Sequence, residues 1–191
     1  MTPLGISPNS SLPNEISLIL DANLGFVTSI VFASFVIIQW ILLGKDFKII
    51  NFVQIILSIL YGFFVNLALL IVNSILPPCN TYIMQLIYTI TSALILGTAI
   101  EVYLVPKLMP LPAEGLAQAV AHRFKISFPM AKNICDITIV TISVILSFVY
   151  FGRLYGIREG TIIHSILVGR AVKWADKLFG EKLRKFVIGI F

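Results

Sequence analysis

The stretch NFVQIILSILYGFFVNLALLIVNSIL, residues 51–76, contains no Asp, Glu, Lys or Arg in 26 positions. About 20 apolar residues are enough for a helix to cross the hydrocarbon core of a bilayer, so this stretch can cross it with some tilt. It ends at Pro77 and Pro78, and proline cannot continue a helix. The stretch therefore predicts a transmembrane α-helix.

The composition of the whole chain indicates the same class of protein. Of the 191 residues, 58% are hydrophobic and 12% are charged, and the mean hydropathy is +0.98. Soluble domains carry about 25% charged residues, and one soluble core of this size cannot bury so much apolar surface. Cys79 and Cys135 lack metal-ligand spacing, and no phosphate-binding glycine loop or catalytic triad order is present. We therefore expect a membrane protein that is not an enzyme and that uses no metal and no cofactor.

Five apolar runs predict an all-α, polytopic transmembrane bundle. The predicted spans cover residues 22–43, 51–76, 81–105, 134–151 and 160–172. The last run is short and carries His164 and Arg170, so its length alone fits a spanning or a re-entrant segment. We favour a fifth span because of the sequence repeat described below.

Two segments outside the spans have the pattern of amphipathic helices. After Pro112, the residues Leu116, Val120 and Phe124 recur at helical spacing, opposite a polar face. This predicts a short helix that lies at the membrane surface or packs against the bundle. The tail from Lys173 to Lys185 predicts a basic interfacial helix beside anionic lipid.

Basic residues are distributed unequally over the two sides of the predicted bundle. Eleven Lys and Arg residues lie in the connections after the first and third spans and in the tail, against Arg153 and Arg158 on the opposite side. Cytoplasmic loops of membrane proteins carry the basic excess, which predicts a cytoplasmic C-terminus and an external segment 1–21. The net charge of +5 is therefore expected to face the membrane surface, with no nucleic acid as partner.

Comparison of the chain with itself reveals a repeat. QIILSILYGFFVNLA (54–68) and TIIHSILVGRAVKWA (161–175) are identical at eight of 15 positions, at a constant offset of 107. Upstream, at an offset of 104, Pro8 and Leu12 fall on Pro112 and Leu116. The repeat predicts two three-helix units, about 1–76 and 81–176, in one transmembrane domain followed by a basic tail, 177–191. An odd number of spans per unit makes the two copies inverted in the membrane.

The two predicted units are not of equal length. The second unit begins with the span 81–105, and the first has no apolar run before residue 22 that would match it. We therefore expect a parent architecture of six spans, of which this chain lacks the first.

Three motifs resemble the YczE/YyaS/YitT family of bacterial membrane proteins. They are PLGISPNSSLP (3–13), MPLPAEGLAQAVA (109–121) and YGIREGTIIHSILVG (155–169). The resemblance covers nearly the whole chain, and G-x-R-E-G-T is its most specific part. It implies a multipass protein of the bacterial plasma membrane whose relatives begin with one more apolar helix. The family has no settled biochemical role, so the resemblance implies no substrate.

Ionisable and polar residues at membrane depth are the candidates for a functional site, because placing them there is costly. The predicted substrate-binding residues are Glu101, Glu114, Asp136, Arg158, Glu159, Thr161 and His164. Thr161 and His164 share one helix face with Ser165, and such a polar stripe must face the bundle interior or water.

Each of these residues also has a structural alternative. Glu101 lies near the end of its span, where it can reach the interface or pair with Lys107. Asp136 near the start of its span, and Glu114 and Glu159 near helix starts, suit the positive end of a helix dipole. Hydrogen bonds between helices are the alternative role of the polar stripe.

Two functions remain open at this point. In the first, the protein transports a small solute or ion along a polar path between the repeats. Arg158 would supply a fixed positive charge, and a carboxylate or His164 would carry a coupled proton. In the second, it is a non-transporting membrane scaffold or assembly factor in which charges pair between helices. The expected partners are the lipid bilayer, a small solute or ion, and a second copy in a homodimer.

Overall fold

The computed structural model describes residues 5–75, 77, 81–104, 109–154, 156 and 159–181, with the side chains of residues 103, 104, 162 and 165 excepted. These residues form helices and no β-strand, which confirms the all-α prediction. The α-helices are α1 (Pro8–Ile19), α2 (Leu24–Leu43), α3 (Val53–Ile75), α4 (Tyr82–Leu104), α5 (Pro112–Phe124), α6 (Phe128–Phe151) and α7 (Glu159–Ala175).

Four of the described helices are long and apolar enough to cross a membrane, namely α2, α3, α4 and α6. They correspond to the first four predicted spans. The predicted fifth span is helical too, but α7 has 17 residues, a length of about 25 Å, against a hydrocarbon core of about 30 Å. Five residues in a π-helical pattern, Asp176–Gly180, continue it. That α7 crosses the membrane therefore stays a prediction.

Helix α6 begins at Phe128, six residues before the predicted start at Ile134. The polar residues Lys132 and Asn133 interrupt the hydropathy pattern there, although they do not interrupt the helix. Its start is defined by Ser127 in an extended conformation and by a proline in the first turn, where the missing N–H costs no hydrogen bond.

The N-terminal segment contains a helix where the sequence predicted only a connection. Its prolines, serines and asparagines are typical of a loop. Pro8, however, occupies the first position of α1, and Ser11 Oγ donates a hydrogen bond to the Pro8 carbonyl at 2.7 Å. Pro13 lies inside the helix and removes one backbone hydrogen bond from it.

The described residues belong to two compact units. The smaller unit contains α4 and α7, which pack along each other. A Cβ added to Gly97 of α4 would collide with the Ala171 methyl group of α7, so this glycine permits the two helices to approach closely. The larger unit contains α1, α2, α3, α5 and α6.

The larger unit is organised around α2 and α6. Helix α2 packs against α3 and α5, α1 packs against α6 and α2, and α5 also packs against α6. Helix α5 thus packs against the bundle, one of its two predicted settings. Leu116 of its predicted apolar face is buried, whereas Phe124 is exposed. The apolar core consists of Val27, Val31, Phe32, Phe35, Ala113, Leu116, Ala117, Cys135 and Ile139.

The backbone of α1 and its turn reappears in α5 and its turn, 104 residues later. Asp21 and Lys125 are the two non-glycine residues with positive φ in the described part of the chain, at 49° and 53°. Both end a short helix in the left-handed conformation that is typical of helix C-termini. Three further features recur at the same offset, namely the helix starts Pro8/Pro112 and Leu24/Phe128 and the hydrogen bonds Ala22 N to Ser17 O and Ile126 N to Ala121 O.

The contacts along the short helices give the relative direction of the long ones. Successive residues of α1 contact successive residues of α6, so these two helices are parallel. In the same way, α5 is parallel to α2 and contacts the segment just after it. The contacts are Asn9–Lys132, Ser11–Ser143 and Glu15–Ser147 for α1, and Pro112–Gln39 and His122–Asp46 for α5. Each short helix reverses through a turn of three or four residues into its own long helix. The matching helices α2 and α6 therefore run in opposite directions, as an inverted repeat requires. The third helix of each repeat, and the repeat boundaries, stay predictions.

Candidate functional site

The candidate site is the polar interior of the larger unit, where α1 and α5 introduce hydrogen-bonding side chains among apolar helices. Such groups are costly to bury unless they are paired, and in membrane proteins they mark functional sites. The buried polar residues of this unit include Ser11, Asn14, Glu15, Gln39, Gln54, Ser58, Ser143 and Ser147.

Two glutamines join three helices at the start of α5. Gln39 Nε2 of α2 donates to Gln54 Oε1 of α3 and to the carbonyl oxygen of Pro112, each at 3.1 Å. A Cβ added to Gly115 would lie 2.7 Å from Gln54 Oε1 and 2.8 Å from Gln39 Oε1. The absence of a side chain at Gly115 therefore provides the space that both amides occupy.

A serine pair occupies the matching position in the other half of the unit. Ser11 Oγ of α1 lies 3.0 Å from Ser143 Oγ of α6. At the offset of 104, Ser11 corresponds to Gly115 and Ser143 to Gln39. The contact of Ser11 with Ser143 joins two small side chains, whereas the matching contact joins the large side chain of Gln39 with Gly115. The summed side-chain volume is therefore similar in the two halves.

Glu114 lies in the first turn of α5, as predicted, beside an ion pair on α6. Lys132 is paired with Asp136 one turn later and donates to Asn9 Oδ1 of α1 at 3.1 Å. Glu114 Oε2 is buried and has no hydrogen-bond partner among the described residues. Burial raises the pKa of Glu114, an effect that nearby Lys132 and the Glu114 backbone amide partly oppose and Asp136 reinforces.

Glu15 of α1 is a buried carboxyl that the sequence reasoning missed. Its side chain is 0% exposed, and neither carboxyl oxygen makes a well-aligned hydrogen bond within the described structure. Burial raises the pKa of Glu15, although Ser147 and Asn14 lie close enough to lower it in part. The signal that was available is the i, i+4 spacing of Ser11 and Glu15, which places two polar residues on one helix face.

The structure describes six of the seven predicted site residues, and it divides them between the two units. Glu114 and Asp136 meet in the larger unit, whereas Glu101, Glu159, Thr161 and His164 belong to the smaller one. Arg158 lies outside the described residues. A single cluster of all seven residues is therefore not supported within either unit.

The predicted helix-capping alternative for Asp136 is wrong. Because α6 begins at Phe128, Asp136 lies eight residues inside the helix and cannot interact with its first N–H groups. It is instead the ion-pair partner of Lys132. The error follows directly from the helix start that was placed too late.

In the smaller unit, the structure describes the side chains of two residues of the polar stripe of α7, and that of Ser165 lies outside the described residues. Thr161 and His164 are buried, and Thr161 Oγ1 and His164 Nδ1 have no hydrogen-bond partner among the described residues. Glu101 of α4 is 7% exposed. Its predicted partner Lys107 lies outside the described residues, and Glu159 is exposed at the first position of α7.

The comparison with known families covers both units. A family model matches residues 1–177. The chain belongs to the family described as "Family of unknown function (DUF6198)". No curated protein and no solved structure gives a significant match. The family match includes all the helices described above, with Glu15 and Glu114, and its description names no activity.

Proposed function

We propose that this member of the DUF6198 family is a membrane transporter of a small ion or solute, with its site in the polar interior of the larger unit. The observation that supports this best is the pair of short helices α1 and α5. They are related by a constant sequence offset, accompany long helices of opposite direction, and each carries a buried carboxyl. Transporter sites are typically built from interrupted helices between inverted repeats.

Glu114, Lys132 and Asp136 form a cluster, called the Glu114 cluster, whose charge can change during transport. Lys132 and Asp136 neutralise each other, so the net charge of the cluster is that of Glu114. The cluster is neutral with Glu114 protonated and carries one negative charge with it ionised. A cation that binds beside ionised Glu114 would therefore take the place of its proton. Lys132 also donates a hydrogen bond to Asn9 of α1. A shift of Lys132 toward ionised Glu114 would therefore weaken this link between α1 and α6.

The cellular setting is part of the proposal. The four long apolar helices support a membrane protein. The similarity of the three motifs to the YczE/YyaS/YitT family favours the bacterial plasma membrane. The excess of Lys and Arg in the connections after the first and third spans and in the tail favours a cytoplasmic C-terminus.

A membrane scaffold or assembly factor is the second candidate, and the surface of α3 favours it. This helix buries only a narrow face, formed by Gln54, Ser58 and Gly62. Large apolar side chains elsewhere on it are exposed, among them Ile56, Ile59, Phe63 and Leu70. Lipid covers such a face in a transporter, and a second copy or another helix would cover it in a scaffold.

Reconstitution of the full chain into liposomes separates the two candidates. We expect a change in internal pH above that of empty liposomes after a jump in potassium, in sodium or in chloride, recorded with an entrapped pH-sensitive dye, because exchange of one monovalent cation for one proton moves no net charge. Glu114→Gln is expected to reduce the signal at least about tenfold, since an amide cannot exchange a proton. Glu181→Gln changes an exposed carboxyl and serves as the matched control. Wild-type protein with no signal in any jump would favour the scaffold.

A further inference from the structure

Glu15 is a fully enclosed carboxyl for which the described residues provide no counter-charge. It is 0% exposed, and both of its oxygens lack a well-aligned donor among the described residues. An ionised carboxylate in such a place is far more costly than a neutral one. The side chain must therefore be neutralised, either by a bound cation or by a proton.

The groups around Glu15 on the packed helices are neutral. Helix α2 contains no ionisable residue, and α6 contributes the Ser147 hydroxyl. The charged residues of α6, Lys132 and Asp136, are paired with each other near Asn9, at the other end of α1. Arg153 follows α6 and is exposed, and its carbonyl oxygen accepts a hydrogen bond from Ser147. Burial, Ser147 and Asn14 are the causes that act on the pKa of Glu15, and no described lysine or arginine is among them.

The surroundings also disfavour a bound metal ion. Ca²⁺ takes six to eight oxygen ligands, and Mg²⁺ requires a near-ideal octahedral set of six. No group of three His, Cys, Asp or Glu residues able to hold a metal occurs in the part of the chain that the structure describes. The nearby hydroxyls of Ser11 and Ser143 lie against each other. A proton, in contrast, can be bound by one carboxyl without further ligands.

We infer that Glu15 is a proton-binding site, separate from the Glu114 cluster, which is protonated in the closed bundle and exchanges its proton when α1 separates from α6. The step is a simple proton transfer. The carboxyl O–H bond breaks, entering water takes the proton, and the electron pair stays on the carboxylate. That this proton transfer couples to transport rests on the proposed function, whereas proton binding by Glu15 does not.

The two buried carboxyls are not copies of each other. At the offset of 104, Glu15 corresponds to Ala119 and Glu114 corresponds to Ser10. Glu114 interacts with a lysine and with its own helix amide, whereas the neighbours that act on Glu15 are neutral. Two carboxyls with different surroundings would release their protons at different stages of a cycle.

The pH dependence of unfolding of the full chain in detergent tests the proton site. The folded-state pKa of Glu15 is raised above its ordinary value of 4.5. Its stabilising effect is therefore fully present below pH 4.5 and is lost as the pH rises through the folded-state value. We expect the wild-type free energy of unfolding to fall over this window. In Glu15→Gln the slope should decrease by the equivalent of about one proton per chain.

Matched variants isolate the contribution of Glu15. Glu114→Gln should remove a separate part of the slope, because burial raises the pKa of that carboxyl too. Glu181→Gln, at an exposed position, should leave the slope unchanged. If Glu15→Gln does not fold, Ser147→Ala replaces it. The Ser147 hydroxyl lowers the pKa of Glu15, so its loss should shift to higher pH the range over which the free energy of unfolding falls.

Two results would overturn the inference. The first is a Glu15→Gln or Ser147→Ala protein with the same pH dependence as wild type. The second is stabilisation of the wild type at high pH by sodium but not by choline, absent in Glu15→Gln, which would identify a metal-cation site. Proton movement in liposomes is scored separately. Transport without titration of Glu15 refutes this inference alone, and titration without any transport refutes the proposed function alone.

Discussion

Gly115 is the residue on which the polar interior of the larger unit depends most directly. A methyl group there would overlap the amides of Gln39 and Gln54, which are buried and hydrogen-bonded and cannot move aside freely. We expect Gly115→Ala to lower the free energy of unfolding by about 1–3 kcal/mol, the usual effect of overpacking. Chemical unfolding in detergent measures this change.

The control is an alanine substitution at a glycine without neighbours. A Cβ added to Gly169 of α7 has nothing within 4 Å. Gly169→Ala should therefore leave stability unchanged or raise it by up to about 1 kcal/mol, because alanine favours a helix more than glycine does. Equal losses in the two variants would contradict the role assigned to Gly115.

Lys132 limits how far burial raises the pKa of Glu114 above its ordinary value. The lysine lowers this pKa, against the larger effect of burial. Lys132→Met should therefore raise the pKa of Glu114 further, and it leaves Asp136 without its ion-pair partner. A carboxyl with a raised pKa stabilises the fold below its unfolded-state value and loses this effect as the pH rises. The variant should consequently lose more stability relative to wild type at pH 8 than at pH 5.

The matched control for this experiment is Lys173→Met, at an exposed position on α7. Its stability relative to wild type should not depend on pH. A Lys132→Met protein whose loss of stability is the same at both pH values would show that Lys132 does not act on Glu114.

At the scale of the elements, the turns after α1 and α5 carry a backbone conformation that favours glycine. Lys125 has φ at 53°, although its neighbours require no particular side chain there. Lys125→Gly should therefore raise the free energy of unfolding by up to about 1 kcal/mol. Gly152 after α6 is the reverse control, since φ is 65° and Gly152→Ala should lower stability by a similar amount. The same sign for both substitutions would contradict this account of the turns.

The long helices could be predicted from the sequence because lipid-facing helices are apolar on all sides. The predicted limits of α2, α3 and α4 lie within about two residues of those in the structure. Helix α1 could not be found in this way, because Pro8 and Pro13 are signals for a loop and its stability depends on packing against α6. The start of α6 was missed because Lys132 and Asn133 are polar yet helical.

The candidate site was predictable only where local sequence determines it. Glu114 follows Pro112 at a helix start, and this position follows from the sequence alone. The burial of Glu15 results from the contact of α1 with α6, more than 120 residues away. The spacing of Ser11 and Glu15 places both on one helix face, but it does not indicate that this face is buried. The role of Asp136 was assigned wrongly because its partner Lys132 had been placed outside the helix.

At the scale of the whole molecule, the inverted relation of α1–α2 and α5–α6 is the basis of the proposed function. It follows from the recurrence of turns and hydrogen bonds at one offset, and from contacts that make α1 parallel to α6 and α5 parallel to α2. If these helices span a membrane, the turns that contain Asp21 and Lys125 lie on opposite sides of it. The basic residues of the connections predict that the turn at Asp21 is external and the turn at Lys125 is cytoplasmic.

Labelling of single cysteines tests this arrangement most directly. Asp21→Cys and Lys125→Cys are introduced separately into a chain in which Cys79 and Cys135 are replaced by serine, and intact cells are treated with a membrane-impermeant maleimide. The inverted arrangement, together with the distribution of basic residues, predicts that Asp21→Cys reacts in intact cells and that Lys125→Cys reacts only after the membrane is opened. Reaction of both cysteines from the same side would contradict the inverted arrangement of α2 and α6.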